Sequence, residues 1–540
     1  MPRFAGQPRD LRFHRDARDS MKFMVKGKNS MNRTTRNVHG RAISIFAAML
    51  AVALGGSLAL SAPARAQYQL VQVSTDKFTN TDSDHKTEVE PHTFSWGSTI
   101  VSAYHVARRP GSIGWGSADI GFSTSTNGGS TWTYGYLPGM TVNYKGGTFG
   151  ATADPAVAYD TKHGGWLIVA LPLVGLNGNG NTIGDVSVSR SADGIHWGNP
   201  ILIDQTALDD KTWIVCDNTS TSKYYGNCYV EWDQAYGTGD VLMSVSSDGG
   251  ATWTAGQPSA DHAGGLGGVP LVQPNGTVIV PFEGGGIDVF TSTNGGSSWG
   301  TSEQIADIDS HYEDNIRNPN LPASGIDGAG NVFVAWSDCR FRSGCAENDI
   351  VYSSSADGKT WSAVTRIPID PVTSTVDHFL PGFGVNPTTS GKSAGLTVVY
   401  YYFPIANCSN SCQLDVGFSS SSNGGQTWTS GVQLAGPMQL SWLPVSDNGP
   451  MVADYVGVAY NNNNPFSVFA VALAPQGSTL REAMATTKQP LIPAPDVPRF
   501  SAAADKPVPG AKSDHVMNFY YDDEGTRPIP QSRWIKPQAR

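Results

Sequence analysis

One short phrase recurs six times, and a chain that repeats a turn must repeat the structural unit that carries it. At residues 125–132, 191–197, 246–253, 292–299, 355–361 and 421–428, a serine is followed two positions later by Asp or Asn, then by glycine, and the phrase closes on tryptophan. Each copy reads as a hairpin turn. The Asp or Asn oxygen accepts backbone N–H groups, the glycine takes a positive φ, and the indole lies beside the sheet. The phrase is therefore structural rather than catalytic. Alternating β-rich runs such as 185–189, 240–244 and 349–353 precede the turns, and an earlier strand precedes some of these, as at 331–336. Two strands followed by a hairpin make a four-stranded unit.

Spacing predicts how many units there are. Successive phrase tryptophans are 65, 56, 46, 62 and 67 residues apart, and the β-like region 68–488 holds about seven such intervals. Six phrases leave one unit to be assembled from both ends of the chain. Residues 451–460, 467–473 and 482–487 are predicted as three strands, with 69–74 returning as the fourth and removing an exposed sheet edge. Composition agrees with a turn-rich all-β chain: 61 Gly and 34 Pro accompany only 15% charged residues, against a usual ~25%. After Pro490 the sequence becomes Pro-rich and loses its period, so 489–540 is expected to be a tail, either lying on the surface or mobile.

The chain's start has a different character. Residues 1–66 carry 12 Lys+Arg and 3 Asp+Glu, whereas the rest carries 24 against 43, a net of −19 beneath an overall −10. An acidic body repels phosphate backbones and excludes general nucleic-acid binding. Arg33, Arg36 and Arg41 precede the apolar run 42–60, and Ala64-Arg65-Ala66 offers a cleavage site before Gln67. Residues 1–66 thus read as a secretory signal with an extended basic start, and translation could also begin at Met21, Met24 or Met31. A membrane anchor is the competing reading; Gly55, Gly56 and Ser57 interrupt the run and a cleavage pattern follows it. The expected location is secreted or periplasmic, with cell-surface association open.

Cysteine usage fits export. Cys216 with Cys228, Cys339 with Cys345, and Cys408 with Cys412 form three close pairs, read as local disulfides. No CxxC, HxH or HExxH occurs after residue 66, which argues against a His/Cys metal site and leaves room for a structural calcium held by oxygens. No cofactor is expected: no Walker loop or dinucleotide fingerprint is present. The two GxSxG strings around Ser298 and Ser393 lack the strand-to-helix setting of a hydrolase elbow.

The repeated phrases are Asp-boxes of the form SxDxGxxW, and they resemble the repeats of the sialidase-like (BNR) β-propeller superfamily. The third copy matches in full; Asn127, Asn294 and Asn423 replace Asp in the first, fourth and sixth, and the second and fifth are one residue shorter. The resemblance implies an all-β propeller of four-stranded antiparallel blades, seven by the spacing or six as in true sialidases. The N-terminal strand closes the ring, and the propeller domain covers 67–488. It implies a ligand pocket on the face opposite the boxes. Sialidases hold the sugar carboxylate with three arginines, attack with a Tyr assisted by Glu, and use Asp as acid/base. The guanidinium fork matches a carboxylate, and a Tyr–Glu pair can attack an anomeric centre that already bears negative charge.

Carried onto this chain, the resemblance assigns Tyr455 as nucleophile ahead of Tyr401 and Glu313 as its assistant. Asp338 is the acid/base, with Asp154 and Asp377 competing. Arg317, Arg340, Arg342 and Arg109 are the substrate-binding candidates. The family's Arg-Ile-Pro phrase is missing before the first box; Arg108-Arg109-Pro110 stands there in another context, and Arg366-Ile367-Pro368 follows the fifth box and is read as coincidence. Each candidate has a structural alternative. Asp338 with Arg340 fits an ion pair tying neighbouring units; Glu231, Asp233 and Asp209-Asp210-Lys211 fit linking charges; His311 and His378 fit hydrogen-bonded loop residues; and Trp442 fits packing or sugar stacking. Two functions follow: an exo-sialidase-type hydrolase of sialylated or related acidic glycans, or a non-catalytic propeller that binds glycan or protein. Convergence of the arginines favours the first, and their pairing with Asp or Glu favours the second.

Overall fold

The computed structural model describes residues 68–110, 116–176, 182–235, 237–313, 315–408, 412–446 and 448–511. The export signal expected over 1–66 lies outside the described residues, as does the tail beyond 511. Among the described residues the chain is all-β, with four short 3-10 turns as its only helical elements. No helix there is long and apolar enough to cross a membrane.

Four antiparallel sheets of four strands are separate. They are Leu271–Val272 to Glu303–Ala306, Ala323–Ile326 to Thr365–Arg366, Asp377–Val385 to Val432–Gln439, and one that unites Val458–Asn461, Asn464–Ala472 and Glu482–Thr487 with Leu70–Gln72. An eleven-stranded sheet is itself three meanders in series, and two two-stranded ribbons, Thr427–Thr429 with Arg499–Ser501 and Val445–Ser446 with Gly449–Pro450, complete the strands described. The first runs from Glu88–Trp96 to Thr133–Tyr136 and touches the second through the single pair Ser117↔Thr152. The 16-residue strand Ile201–Cys216 joins the second and third, pairing on one side through Ile201 to Asp209 and on the other through Asp210 to Cys216. These features are consistent with a β-propeller.

The strand from the chain's start pairs as the sequence predicts, with Leu70↔Thr487, Val71↔Thr486 and Gln72↔Ala485. The expected strand 451–460 is shorter than predicted, since only Val458–Asn461 is strand. Its first half follows the neighbouring strand's bulge instead: the Glu90 N–H donates to Val452 and the Gly457 N–H to Pro91.

The Asp-box turns form for the reason the residues imply. In the third box, Ser246 Oγ accepts the Gly250 N–H at 2.9 Å, Asp248 Oδ1 accepts the Thr252 N–H at 3.0 Å, and the Trp253 indole donates to the Gly250 carbonyl at 3.2 Å. Asn127 performs the same task in the first box, its Oδ1 accepting the Thr131 N–H at 2.9 Å. Gly128 and Gly129 there have φ of 67° and 88°. Trp428 of the sixth box is fully buried among Tyr352 and Phe383. The three expected disulfides are present. Past Pro490 the chain lies on the body: Arg499–Ser501 pairs with Thr427–Thr429, and the Val508 N–H donates to the Arg340 carbonyl.

Candidate functional site

Bulges bring charge together. In three first strands an X-Pro pair is left out of the ladder: Glu90-Pro91, Asp154-Pro155 and Leu380-Pro381, with register shifts at Val89/His92, Ala153/Ala156 and Phe379/Gly382. Lys211 occupies a comparable bulge opposite Trp232/Asp233. Glu90, Asp154, Lys211 and Leu380 all have positive φ, between 33° and 56°, as extra residues squeezed into one strand of a pair require.

These bulges build a buried ion network. Lys211 Nζ lies 2.9 Å from Asp454 Oδ2, 3.4 Å from Asp154 Oδ1 and 3.8 Å from Asp210 Oδ1. Arg317 grips Asp454 with two guanidinium nitrogens, its Nε at 2.6 Å from Oδ1. Burial opposes ionisation of Asp454, yet the Arg317 and Lys211 charges outweigh it and hold the carboxyl far below the usual carboxylate range. Glu90 Oε2 stands 3.1 Å from His105 Nε2, which also accepts the Asp154 N–H at 2.8 Å. Burial pushes Glu90 up to about 7 and Asp154 up to about 8. The network is a linkage between units rather than an open site, because Glu90, Asp154, Lys211, Arg317 and Asp454 are all buried.

Every arginine assigned to substrate is committed to a carboxylate of the chain. Besides Arg317 with Asp454, Arg340 forks onto Asp338 through Nε and Nη2, both at 2.7 Å. Arg342 is fully buried, with Nη2 2.5 Å from Asp349 and 2.8 Å from Asp370. Arg109 pairs with Asp82 at 2.6 Å. Arg366 shares Asp349 and Asp370 and reaches Asp505 at 3.0 Å. Asp338, the assigned acid/base, is filled by Arg340, the Trp336 indole and the Asp309 N–H. The Tyr455 hydroxyl donates to the Pro155 carbonyl at 3.1 Å, and its ring packs edge-on against Trp213. Tyr401, its rival, is buried and donates to Ala470.

A pocket of about 200 Å3 lies elsewhere, where the loop through His311, Tyr312 and Glu313 meets Asp377, Phe403 and Cys408. Asp377 begins its strand and pairs with Phe403, the last residue of the next, so the strand ends form the floor. Asn348 ties the walls together. Its Nδ2 donates to the His311 carbonyl at 2.8 Å and to Glu313 Oε1 at 2.5 Å, and its Oδ1 accepts the His311 N–H at 2.7 Å. Its backbone N–H donates to Asp377 Oδ1 at 2.7 Å. Asn318 adds a second amide donor to Glu313 at 2.5 Å. Among the described residues Asp377 Oδ2 has no hydrogen-bond partner, with His311 Nε2 3.8 Å away. Burial, with the Glu313 charge adding to it, raises Asp377 well above the usual carboxylate range.

Sequence reasoning named Glu313 and Asp377 and placed His311 in a loop; it missed Asn348 and Glu90. The repeated acid–Pro pair at Glu90-Pro91 and Asp154-Pro155 was a usable signal for Glu90. Nothing local marks Asn348. Metal-like clusters, with donor atoms within 4.8 Å of one another, occur at Glu90/His105/Asp154 and Asp349/Asp370/His378. Lys211 beside the first, and Arg342 and Arg366 beside the second, already supply positive charge.

No family model matches the chain, and no curated protein does. Among solved structures, it is similar to a Hadza microbial sialidase at 17% identity, covering 59% of this chain and 64% of that one, with a TM-score of 0.39. It therefore spans less than two thirds of that structure's length. The intramolecular trans-sialidase from Ruminococcus gnavus shares 13% identity over 74% of this chain and 93% of its own, with a TM-score of 0.36. A family PL25 ulvan lyase shares 11% identity over 77% and 95%, with a TM-score of 0.43.

Proposed function

We propose that the protein is an exported, sialidase-like β-propeller, seven four-stranded blades closed by Leu70–Gln72, that binds glycan without cleaving sialosides. One observation carries this reading: Arg109, Arg317, Arg340 and Arg342 are all neutralised by carboxylates of the chain, so no guanidinium fork among them is left for a sugar carboxylate. The ligand site in this reading is the His311–Asp377 pocket. Its volume of about 200 Å3 is below the ~300–1,000 Å3 of pockets for drug-sized ligands, which suits a single sugar unit. Tyr312, 42% exposed at its edge, offers a ring face for stacking. Three disulfides and the acidic body support export.

Release of fluorophore from sialosides and other acidic glycosides is expected to stay at blank level. Binding to a glycan surface is expected to persist and to fall in Tyr312→Ala. Turnover of any sialoside above blank overturns the reading.

A hydrolytic second reading has its own support in Asp377, whose protonated form burial favours, lining one pocket with the Glu313 carboxyl, since proton donor and carboxylate partner are the usual glycosidase pair. It requires release from a neutral glycoside that Asp377→Asn abolishes.

A further inference from the structure

We propose that the His311–Asp377 pocket receives an ammonium group, and that its ligand is a glycan bearing free amines, of the glucosamine type. This deepens, and rests on, the reading of the pocket as the glycan site.

Asp377 Oδ2 carries the argument. The residue is 1% exposed and lines the pocket, its Oδ1 is occupied by the Asn348 N–H, and among the described residues Oδ2 has no hydrogen-bond donor. A buried acceptor without a donor costs free energy that a charged N–H donor recovers best. Glu313 places a second carboxyl on the same wall, held by Asn318 and Asn348. Tyr312 and Phe403 add aromatic faces, the preferred surroundings of a cation. A sugar carboxylate would meet two acidic groups instead. Among the described residues, the clusters whose donor atoms converge as a metal needs lie outside this pocket. The field of a body with net charge −19 also draws polycations toward it.

Ligand charge and protonation are then linked. Burial and the charges of Glu313 and Glu347 favour the protonated form of Asp377, the Asn348 N–H and Arg342 favour the carboxylate, and His311 faces it at 3.8 Å. An ammonium reverses that balance: it favours the carboxylate, so whatever proton the acid form holds passes to buffer on binding.

Isothermal titration of the full chain with glucosamine oligomers and with the same oligomers fully N-acetylated tests this, run near pH 6.5 in buffers of different ionisation enthalpy. The amine form is expected to bind at least tenfold tighter and with a buffer-dependent heat. Asp377→Asn, which keeps the acceptor for Asn348, is expected to remove both the preference and the proton release. Tyr312→Ala, at an exposed position, is expected to weaken the amine form without unfolding. Equal or tighter binding of the acetylated form overturns the ammonium assignment while leaving the glycan site standing. Binding of neither form overturns both. Cadaverine binding as tightly as the oligomer overturns the amino-sugar source, because a lysine side chain would then serve equally.

Discussion

The backbone N–H of Asn348 donates to Asp377 Oδ1 at 2.7 Å, while the same residue's amide holds Glu313 at 2.5 Å. One buried asparagine thus sets the separation of the two acidic groups and leaves the outer oxygen of Asp377 facing His311. The relationship makes Asn348 a positioning residue for the pocket.

Asn348→Ala is expected to cost about 1–3 kcal/mol, because the His311 amide and the Glu313 carboxyl lose partners in a buried setting. The backbone bond to Asp377 survives. Thermal unfolding should show a modest fall in Tm, and ligand affinity should drop beyond what the unfolded fraction explains. Unchanged affinity in the folded variant would remove the positioning role.

Arg317→Ala is expected to destabilise the fold by about 3–5 kcal/mol, since it breaks the guanidinium–Asp454 pair and leaves a buried carboxylate with Lys211 as its remaining cation. Denaturant unfolding measures this. A stable Arg317→Ala variant would mean the network is not the linkage described. Loss of function in this variant would report on folding rather than on substrate contact.

Stability is expected to decline as pH rises from about 5 to 8. Burial raises Glu88 to about 8 and Asp154 to about 8 in the folded chain, while the unfolded groups titrate near ~4. Between those values the folded state holds protons that the unfolded state has released, so the slope of unfolding free energy with pH is negative. Below the unfolded values both states are protonated and this term is flat. Urea midpoints across the range check the sign, and a midpoint that climbs with pH contradicts it.

Deleting residues 68–74 is expected to produce an aggregating chain. The Glu482–Thr487 edge then loses its partner, and the Met484 N–H and Glu88 lose Ser74. Light scattering of the purified variant measures the outcome. A monomeric variant with native Tm would show that the strand is dispensable.

The repeated turn was legible because its chemistry is local. Ser246, Asp248, Gly250 and Trp253 satisfy one another within eight residues, so spacing alone predicted the units, and the edge strand at 69–74 followed from the shortage of one unit. The cysteine pairs, 12, 6 and 4 residues apart, were legible for the same reason. The strand 451–460 was predicted too long because the Glu90-Pro91 bulge captures residues before Val458.

Sequence alone determined the all-β units, the disulfides and the acidic body, since turn propensity, alternation and short-range covalent pairing need no knowledge of distant partners. Tertiary structure decided which charges remain available. Arg317 meets Asp454 across 137 residues, and Asn348 meets His311 across 37. An arginine reads identically in sequence whether a ligand or a carboxylate of its own chain neutralises it. Charge interactions fall off with distance and strengthen with burial, and both quantities exist only once the chain has folded.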